Sequence, residues 1–265
     1  MDELKEIGVH LEELRKRIIK MVIAVAIVTF FILGFHLTPL VYNDIKLYYP
    51  YPNPLDNMAA QLTVIMKNQL IPPTVQLIQT APGQAFFAQF YVAVLLGIVI
   101  SMPIIVREFF GFLAPAFEKK EIQIIRSITI PAVFLFICGC LFSYFFVTPY
   151  VLDFLYKYGQ SSGLVTFLNI VDFITFVLQF LLAFGISFQL PLIMYAVSSS
   201  GLVDIKFWRK NIRYAIIAMV ILGAAITPDG SGITMWFVSG PMIALYLIGM
   251  FYTERQTKRI ATLKS

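Results

Sequence analysis

The chain has 265 residues, of which 59% are hydrophobic and 13% are charged, and its formal net charge is +5. Soluble domains carry about 25% charged residues, so this composition excludes a water-soluble globular protein. The basic excess comes without a nucleic-acid-binding motif, which argues against a nucleic-acid partner.

Six apolar stretches predict an all-α polytopic membrane protein with six transmembrane helices in a single integral membrane domain, residues 1–265. About 20 apolar residues cross the hydrocarbon core as a helix. The crossings are predicted at about 21–40, 85–106, 127–148, 169–198, 213–226 and 233–251. The last two are short, and the fifth reaches only about 20 Å against about 30 Å of hydrocarbon.

Residues 1–20 are predicted to form a cytoplasmic amphipathic helix. Its apolar stripe contains Leu4, Ile7, Leu11, Leu14 and Ile18. Glu12 and Glu13 lie off this stripe, in a segment that is otherwise basic. They either pair with Lys16 and Arg17 at i,i+4 on an exposed face or form a docking point for an incoming cation. Helical spacing does not choose between the two glutamates.

The first outer loop is predicted from about Leu40 to Gln84. Its segment "YYPYPNPL", residues 48–55, contains prolines that exclude a regular helix. The following segment "DNMAAQLTVIMKNQL", residues 56–70, has apolar residues at helical spacing behind Asp56 or Asn57. It predicts a short capped helix along the outer surface. A second outer loop is predicted from Pro149 to Thr166.

The connection between the second and third crossings is rich in aromatic residues and also carries acidic ones. These residues are Phe109, Phe110, Phe112, Phe117, Glu118 and Glu121. One interpretation is a membrane-surface anchor, because phenylalanines bury well at the interface. The other is a surface that receives a peptide with a basic part followed by a hydrophobic part.

The fourth crossing contains Gln189 in "AFGISFQLP", residues 183–191. A polar side chain in a membrane requires a hydrogen-bonding partner. That partner is either another helix of this chain or a partner protein, and we predict the second, reached from the lipid side. Kinks are predicted at Pro103, Pro131, Pro191 and Pro241.

The distribution of basic residues predicts that both termini are cytoplasmic. All but three of the 20 lysines and arginines lie on one side of the predicted topology. The exceptions are Lys46, Lys67 and Lys157. Because short cytoplasmic loops carry the basic excess, the basic side is predicted to face the cytoplasm.

We predict that the chain is not an enzyme and has no catalytic residue, metal site or cofactor. It contains neither a phosphate-binding loop nor an HExxH motif. "GQSSG", residues 159–163, matches the GxSxG hydrolase elbow, and His36 is a conceivable base for Ser161. That motif belongs between a strand and a helix, whereas Ser161 lies in the predicted second outer loop.

Four segments together resemble the TatC family of the twin-arginine protein translocase. They are "HLEELRKRI" (10–18), "FGFLAPAFEKKE" (110–121), "AFGISFQLP" (183–191) and "TPD" (227–229). They occur in the family's order, and the resemblance covers essentially the whole chain.

The resemblance implies a signal-peptide receptor in a prokaryotic plasma membrane. The receptor binds Arg-Arg signal peptides and, with TatA- and TatB-type single-helix proteins, exports folded proteins driven by the proton motive force. An oligomeric complex in contact with membrane lipid is expected.

The resemblance also implies roles for individual residues. Glu13 and Glu121 correspond to the carboxylates that meet the twin arginines, with Arg15 and Phe112 at the same site and Asp229 in the outer turn. Gln189 stands where many family members carry a glutamate. The alternative function is a secondary transporter of small solutes, although the chain shows no internal repeat.

Overall fold

The computed structural model describes residues 2–42, 45–73, 75–113, 122–164, 166–199, 203–227 and 232–264. The chain forms two compact units, Met1–Thr129 with Tyr156–Leu178 and Ile130–Leu155 with Gln179–Ser265. Most described residues are helical. Within them, five helical stretches are long and apolar enough to cross a membrane: Leu11–Gly34, Gln84–Phe112, Ile128–Ser161, Ile170–Ser199 and Gly232–Gln256. A further apolar helix, Ile212–Ile226, is shorter.

Helix α1, Asp2–Gly34, merges the predicted N-terminal helix with the first crossing. The helix runs without a break because Gly8 is the only glycine before Gly34 and the segment has no proline. The predicted end of the first crossing at residue 40 is wrong, since α1 stops at Gly34 and a strand begins at Phe35.

The segment predicted as the first outer loop contains a β-hairpin, so the prediction of an all-α fold is wrong for this part of the chain. Strands β1, Phe35–Tyr42, and β2, Ile45–Pro52, pair antiparallel. The prolines exclude a helix here as predicted, but they do not exclude strands. In a two-stranded hairpin both strands are edge strands, where a residue without an N–H is tolerated.

Helix α2, Met58–Leu70, confirms the short helix predicted after the proline-rich segment. Asn57 is the capping residue, because its side-chain oxygen accepts a hydrogen bond of 2.9 Å from the N–H of Ala60. The same side chain donates to Oε1 of Gln89 at 3.1 Å. This bond ties the start of α2 to the next long helix.

Strand β3, Gln76–Ile78, leads into helix α3, Gln84–Leu113, which packs against α1. At Gly97 an added Cβ would lie 2.5 Å from Oγ1 of Thr29 and 3.1 Å from the carbonyl oxygen of Val25. The two backbones therefore approach closely because residue 97 has no side chain, as is usual between membrane helices.

A continuous helical stretch runs through α4, Ile122–Phe142, a π-helical turn, Ser143–Val147, and α5, Thr148–Ser161. The prediction of a loop from Pro149 is therefore wrong as far as Ser161. Pro149 lies inside this continuous stretch, two residues after the π-helical turn. The N–H of Thr148 bonds to the carbonyl of Ser143, five residues back. Strand β4, Phe167–Asn169, then pairs in parallel with β3.

The segment predicted as the fourth crossing forms two helices, α6, Ile170–Ser187, and α7, Leu190–Ser199. Pro191 accounts for the break, because it cannot donate to the carbonyl of Ser187 and its ring crowds that carbonyl. Within the second unit, α4 and α6 are in close contact. A Cβ at Gly139 would lie 2.5 Å from the carbonyl oxygen of Phe184.

The chain ends with α8, Ile205–Lys210, α9, Ile212–Ile226, and α10, Gly232–Lys264. The short apolar segment predicted as the fifth crossing forms a helix of 15 residues. The prediction of a short last helix is wrong, since α10 has 33 residues. Its apolar part is followed by residues 252–264, which contain neither glycine nor proline and continue the helix.

Candidate functional site

Glu13 forms an ion pair with Arg17 one turn further along α1. Nε and Nη2 of Arg17 donate to the same oxygen of Glu13, Oε1, at 3.0 and 2.6 Å. The Glu13 side chain is 34% exposed, so water still reaches the carboxylate. This pair is the i,i+4 contact that the sequence predicts. Because both bonds end on Oε1, the second oxygen of Glu13 can still accept a hydrogen bond from a ligand, so the ligand-binding interpretation stays open.

Arg17 also reaches across to α3. Its Nη1 donates to Oε2 of Glu108 at 3.2 Å, and the Glu108 side chain is only 13% exposed. A single guanidinium thus joins carboxylates from two helices that are 91 residues apart in sequence. Charge-assisted bonds of this kind are about twice as strong as neutral ones.

Gly111 provides the space for this guanidinium. An added Cβ at this position would overlap Nη1 of Arg17 and lie 3.2 Å from its Cζ. Gly111 follows Glu108 by three residues on α3, so both present the same helix face to Arg17. We refer to Glu13, Arg17, Glu108 and Gly111 together as the Arg17 cluster.

Glu12 has a different environment from Glu13. It pairs with Lys16 at 2.8 Å, and the two side chains are 65% and 69% exposed. An exposed pair of this type contributes little to stability, because water and salt screen it. The structure therefore separates the two glutamates, which helical spacing alone does not.

The other predicted residues of this region are only partly described. Arg15 is exposed on α1, and Phe112 is half-buried on α3, one turn after Glu108. Phe109 and Phe110 form an edge-to-face pair with ring centroids 5.6 Å apart. Glu121 and the neighbouring Phe117 and Glu118 lie outside the described residues, as does Asp229.

Gln189 lies at the break between α6 and α7 and bonds within the chain. Its Nε2 donates to the carbonyl oxygen of Ala132 on α4 at 3.1 Å and to that of Gly185 at 3.4 Å. The prediction that Gln189 bonds a partner and not this chain is therefore wrong. The helix break turns the amide towards α4, which periodicity did not indicate.

Ser161 is not arranged as a nucleophile. It ends α5, and its Oγ donates to the carbonyl oxygen of Tyr158 at 2.8 Å. His36 contacts Asp56 through Nδ1, which lies 3.2 Å from Oδ2 of that aspartate. The GxSxG segment lies at the end of a helix and is not preceded by a strand, so it lacks the setting of a hydrolase elbow.

The residues of the Arg17 cluster that sequence reasoning missed are Glu108 and Gly111. Their spacing of three residues in "EFFG" is a weak helical signal that many segments share. The pairing of Arg17 with Glu108 is a long-range contact, so neither residue's neighbours in sequence reveal it. Sequence reasoning identifies Arg17 only as the i,i+4 partner of Glu13.

These observations define a multi-pass membrane protein whose first two long helices carry a partly buried cross-helix ion pair. Residues 9–241 match the family described as Sec-independent protein translocase protein (TatC). The chain belongs to the TatC family and is a component of a protein translocase.

Individual relatives agree with this assignment. The chain is 59% identical to a Sec-independent protein translocase protein TatC of Cenarchaeum symbiosum, over 96% of each chain. It is 31% identical to TatCy of Bacillus subtilis over 92% of this chain and 87% of that protein. A crystal structure of the twin arginine translocase receptor TatC superposes with a TM-score of 0.76 at 27% identity, covering 94% of this chain and 99% of the other.

Proposed function

We propose that this chain is the signal-peptide receptor and core subunit of a twin-arginine translocase. In this function it binds the Arg-Arg signal peptides of folded precursor proteins and moves those proteins across an energised membrane, driven by the proton motive force. The translocase family, described above, supports the transport function. The receptor role rests on the Arg17 cluster.

The observation that carries the proposal is the charge of this cluster. It has two carboxylates, Glu13 and Glu108, which both pair with one guanidinium, that of Arg17. One carboxylate charge therefore remains without a cation inside the cluster, and Glu13 is the member most open to water. A guanidinium from a peptide can bind there with charge-assisted hydrogen bonds.

The remaining roles are carried over from the family resemblance. Glu121 is proposed as the second carboxylate for the two arginines, with Arg15 and Phe112 as neighbours at the same site. Phe109 is nearly half exposed and offers apolar surface for the hydrophobic part of the signal. Asp229 is proposed as the family's outer-turn aspartate.

We further propose six crossings, with α9 as the fifth, in one integral membrane domain of a prokaryotic plasma membrane. Both termini are cytoplasmic in this topology, which the distribution of basic residues supports. The partners are TatA- and TatB-type single-helix proteins and further copies within an oligomeric complex. No covalent chemistry is required of the chain.

Binding of two matched peptides to the purified chain in detergent tests this proposal. One peptide carries an Arg-Arg signal and the other has Lys-Lys at the same positions. The Arg-Arg peptide should bind at least about tenfold more tightly, since a lysine cannot form the forked contact. Glu13→Gln should remove most of this preference, while Glu12→Gln serves as the matched control. Equal binding of the two peptides to the wild-type chain would refute the receptor role.

A further inference from the structure

We propose that Arg17 is an internal competitor for Glu13, and that Glu108 is the carboxylate that holds Arg17 when an arginine of the signal peptide takes its place. This inference rests on the proposed receptor function. It assigns Arg17 and Glu108 a part in setting the affinity and selectivity of the receptor.

The geometry of the Glu13 pair leaves it open to exchange. Both bonds from Arg17 end on Oε1, at 3.0 and 2.6 Å, whereas the strongest arginine–carboxylate pairs use both carboxylate oxygens in a parallel fork. Within the described residues, no hydrogen bond to Oε2 of Glu13 is present. An incoming guanidinium that engages both oxygens would therefore form a better pair than Arg17 does.

Glu108 lowers the free energy needed to release Arg17. The Arg17 side chain is 24% exposed and that of Glu108 is 13% exposed, so both charges are largely removed from water. A poorly solvated arginine that lost every partner would be strongly destabilised. Because Nη1 is already bonded to Glu108 at 3.2 Å, Arg17 keeps a carboxylate after it leaves Glu13.

Gly111 directs the guanidinium towards Glu108. Any side chain at this position would occupy the space that Nη1 and Cζ now take beside α3. The guanidinium can therefore lie flat against the α3 backbone and remain there when Glu13 is occupied by the peptide. Gly111→Ala would displace the guanidinium from its place beside Glu108 without changing any charge.

The exchange also accounts for discrimination against lysine. An arginine that replaces Arg17 at Glu13 can form at least the two charge-assisted hydrogen bonds that Arg17 makes there, so the exchange does not raise the free energy. A lysine would replace these two bonds with a single point contact and would lose the competition. Arg17 at Glu13 therefore favours binding of an arginine, which can displace it, over binding of a lysine, which cannot.

The test is the sign of the change in peptide affinity in four variants of the full chain, measured in detergent with the Arg-Arg and Lys-Lys peptides. Arg17→Gln removes the competitor and should tighten Arg-Arg binding about threefold to tenfold while tightening Lys-Lys binding at least as much. Glu108→Gln should weaken Arg-Arg binding by a similar factor, because Arg17 then depends on Glu13 alone. The double variant Arg17→Gln/Glu108→Gln should bind as tightly as Arg17→Gln. Gly111→Ala should resemble Glu108→Gln.

Opposite changes in Arg-Arg affinity for Arg17→Gln and Glu108→Gln distinguish competition from a structural role. Loss of an ion pair alone would lower the unfolding midpoint in both variants and weaken peptide binding in both. Weaker Arg-Arg binding by Arg17→Gln would overturn the inference, as would unchanged binding by Glu108→Gln. If Arg17→Gln does not fold, Arg17→Lys takes its place and should tighten Arg-Arg binding, while Gly111→Ala should weaken it. If Glu13→Gln has no effect on the Arg-Arg peptide, it is the receptor function that fails and not the competition alone.

Discussion

Replacing Gln189 with leucine removes the hydrogen bond that joins the α6–α7 break to α4. The Nε2 donor lies 3.1 Å from the carbonyl oxygen of Ala132, and the second contact, to Gly185, is longer at 3.4 Å. Hydrogen bonds between membrane helices contribute about 0.6 kcal/mol on average and about 1.7 kcal/mol at most. Gln189→Leu should lower the free energy of unfolding within that range.

A leucine also differs from a glutamine in its preference for lipid, so the hydrogen bond needs a matched reference. Gln179 lies on α6 and is exposed. Gln179→Leu makes the same chemical change without removing a bond to α4, so it measures the contribution of the side-chain exchange alone. The difference in unfolding free energy between the two variants should be about 0.6 kcal/mol, with Gln189→Leu the less stable.

The assay is reversible unfolding of the purified chain in detergent micelles, with no translocase partner added. Both variants are measured under the same conditions, so that the micelle's effect on the unfolding free energy cancels in the difference. Equal changes in the two variants would refute the assignment of a stabilising internal bond to Gln189. A destabilisation seen only when a partner helix is present would restore the earlier prediction of a partner contact.

Two further predictions concern the membrane itself. In a variant without the native cysteines, a single cysteine at Leu55 should be labelled by an impermeant thiol reagent on intact cells, and a single cysteine at Arg255 should not. Labelling at Arg255 would contradict cytoplasmic termini. Helix α9 has 15 residues and spans about 22 Å, so the chain should be most resistant to unfolding in bilayers of short-chain lipids and less so as the acyl chains lengthen. A stability that does not vary with acyl-chain length would contradict a thinned bilayer around this helix.

The sequence predicted the features that depend on neighbouring residues. The apolar stretch predicted at 213–226 agrees within one residue with α9, Ile212–Ile226. Likewise, the pairs of Glu12 with Lys16 and Glu13 with Arg17 are one-turn contacts that helical periodicity implies. Such interactions need only the local conformation, which composition and spacing specify well.

The features that sequence reasoning missed depend on distant partners or on ambiguous local signals. Glu108 contacts a residue that precedes it by 91 positions, and no local pattern encodes that pairing. The β1–β2 hairpin contains prolines and lacks the clear alternation that identifies strands. Helix α5 contains Asp153, Lys157 and Gln160 beyond a proline, and this polar composition resembles a loop.

The parallel pairing of β3 with β4 has a consequence for how the chain enters the membrane. Asn169, at the end of β4, donates to Oγ1 of Thr80 at 2.8 Å, so two segments 89 residues apart are held together. Hydrogen-bonded strands must lie on one side of the bilayer, whichever side that is. The polypeptide between them therefore crosses an even number of times, and α3 and the stretch Ile128–Ser161 are the two long apolar segments in that interval. A chain in which only one of them inserted would leave β3 and β4 on opposite sides of the bilayer, where they could not pair. The small sheet can therefore form only after both segments, or neither, have crossed the membrane.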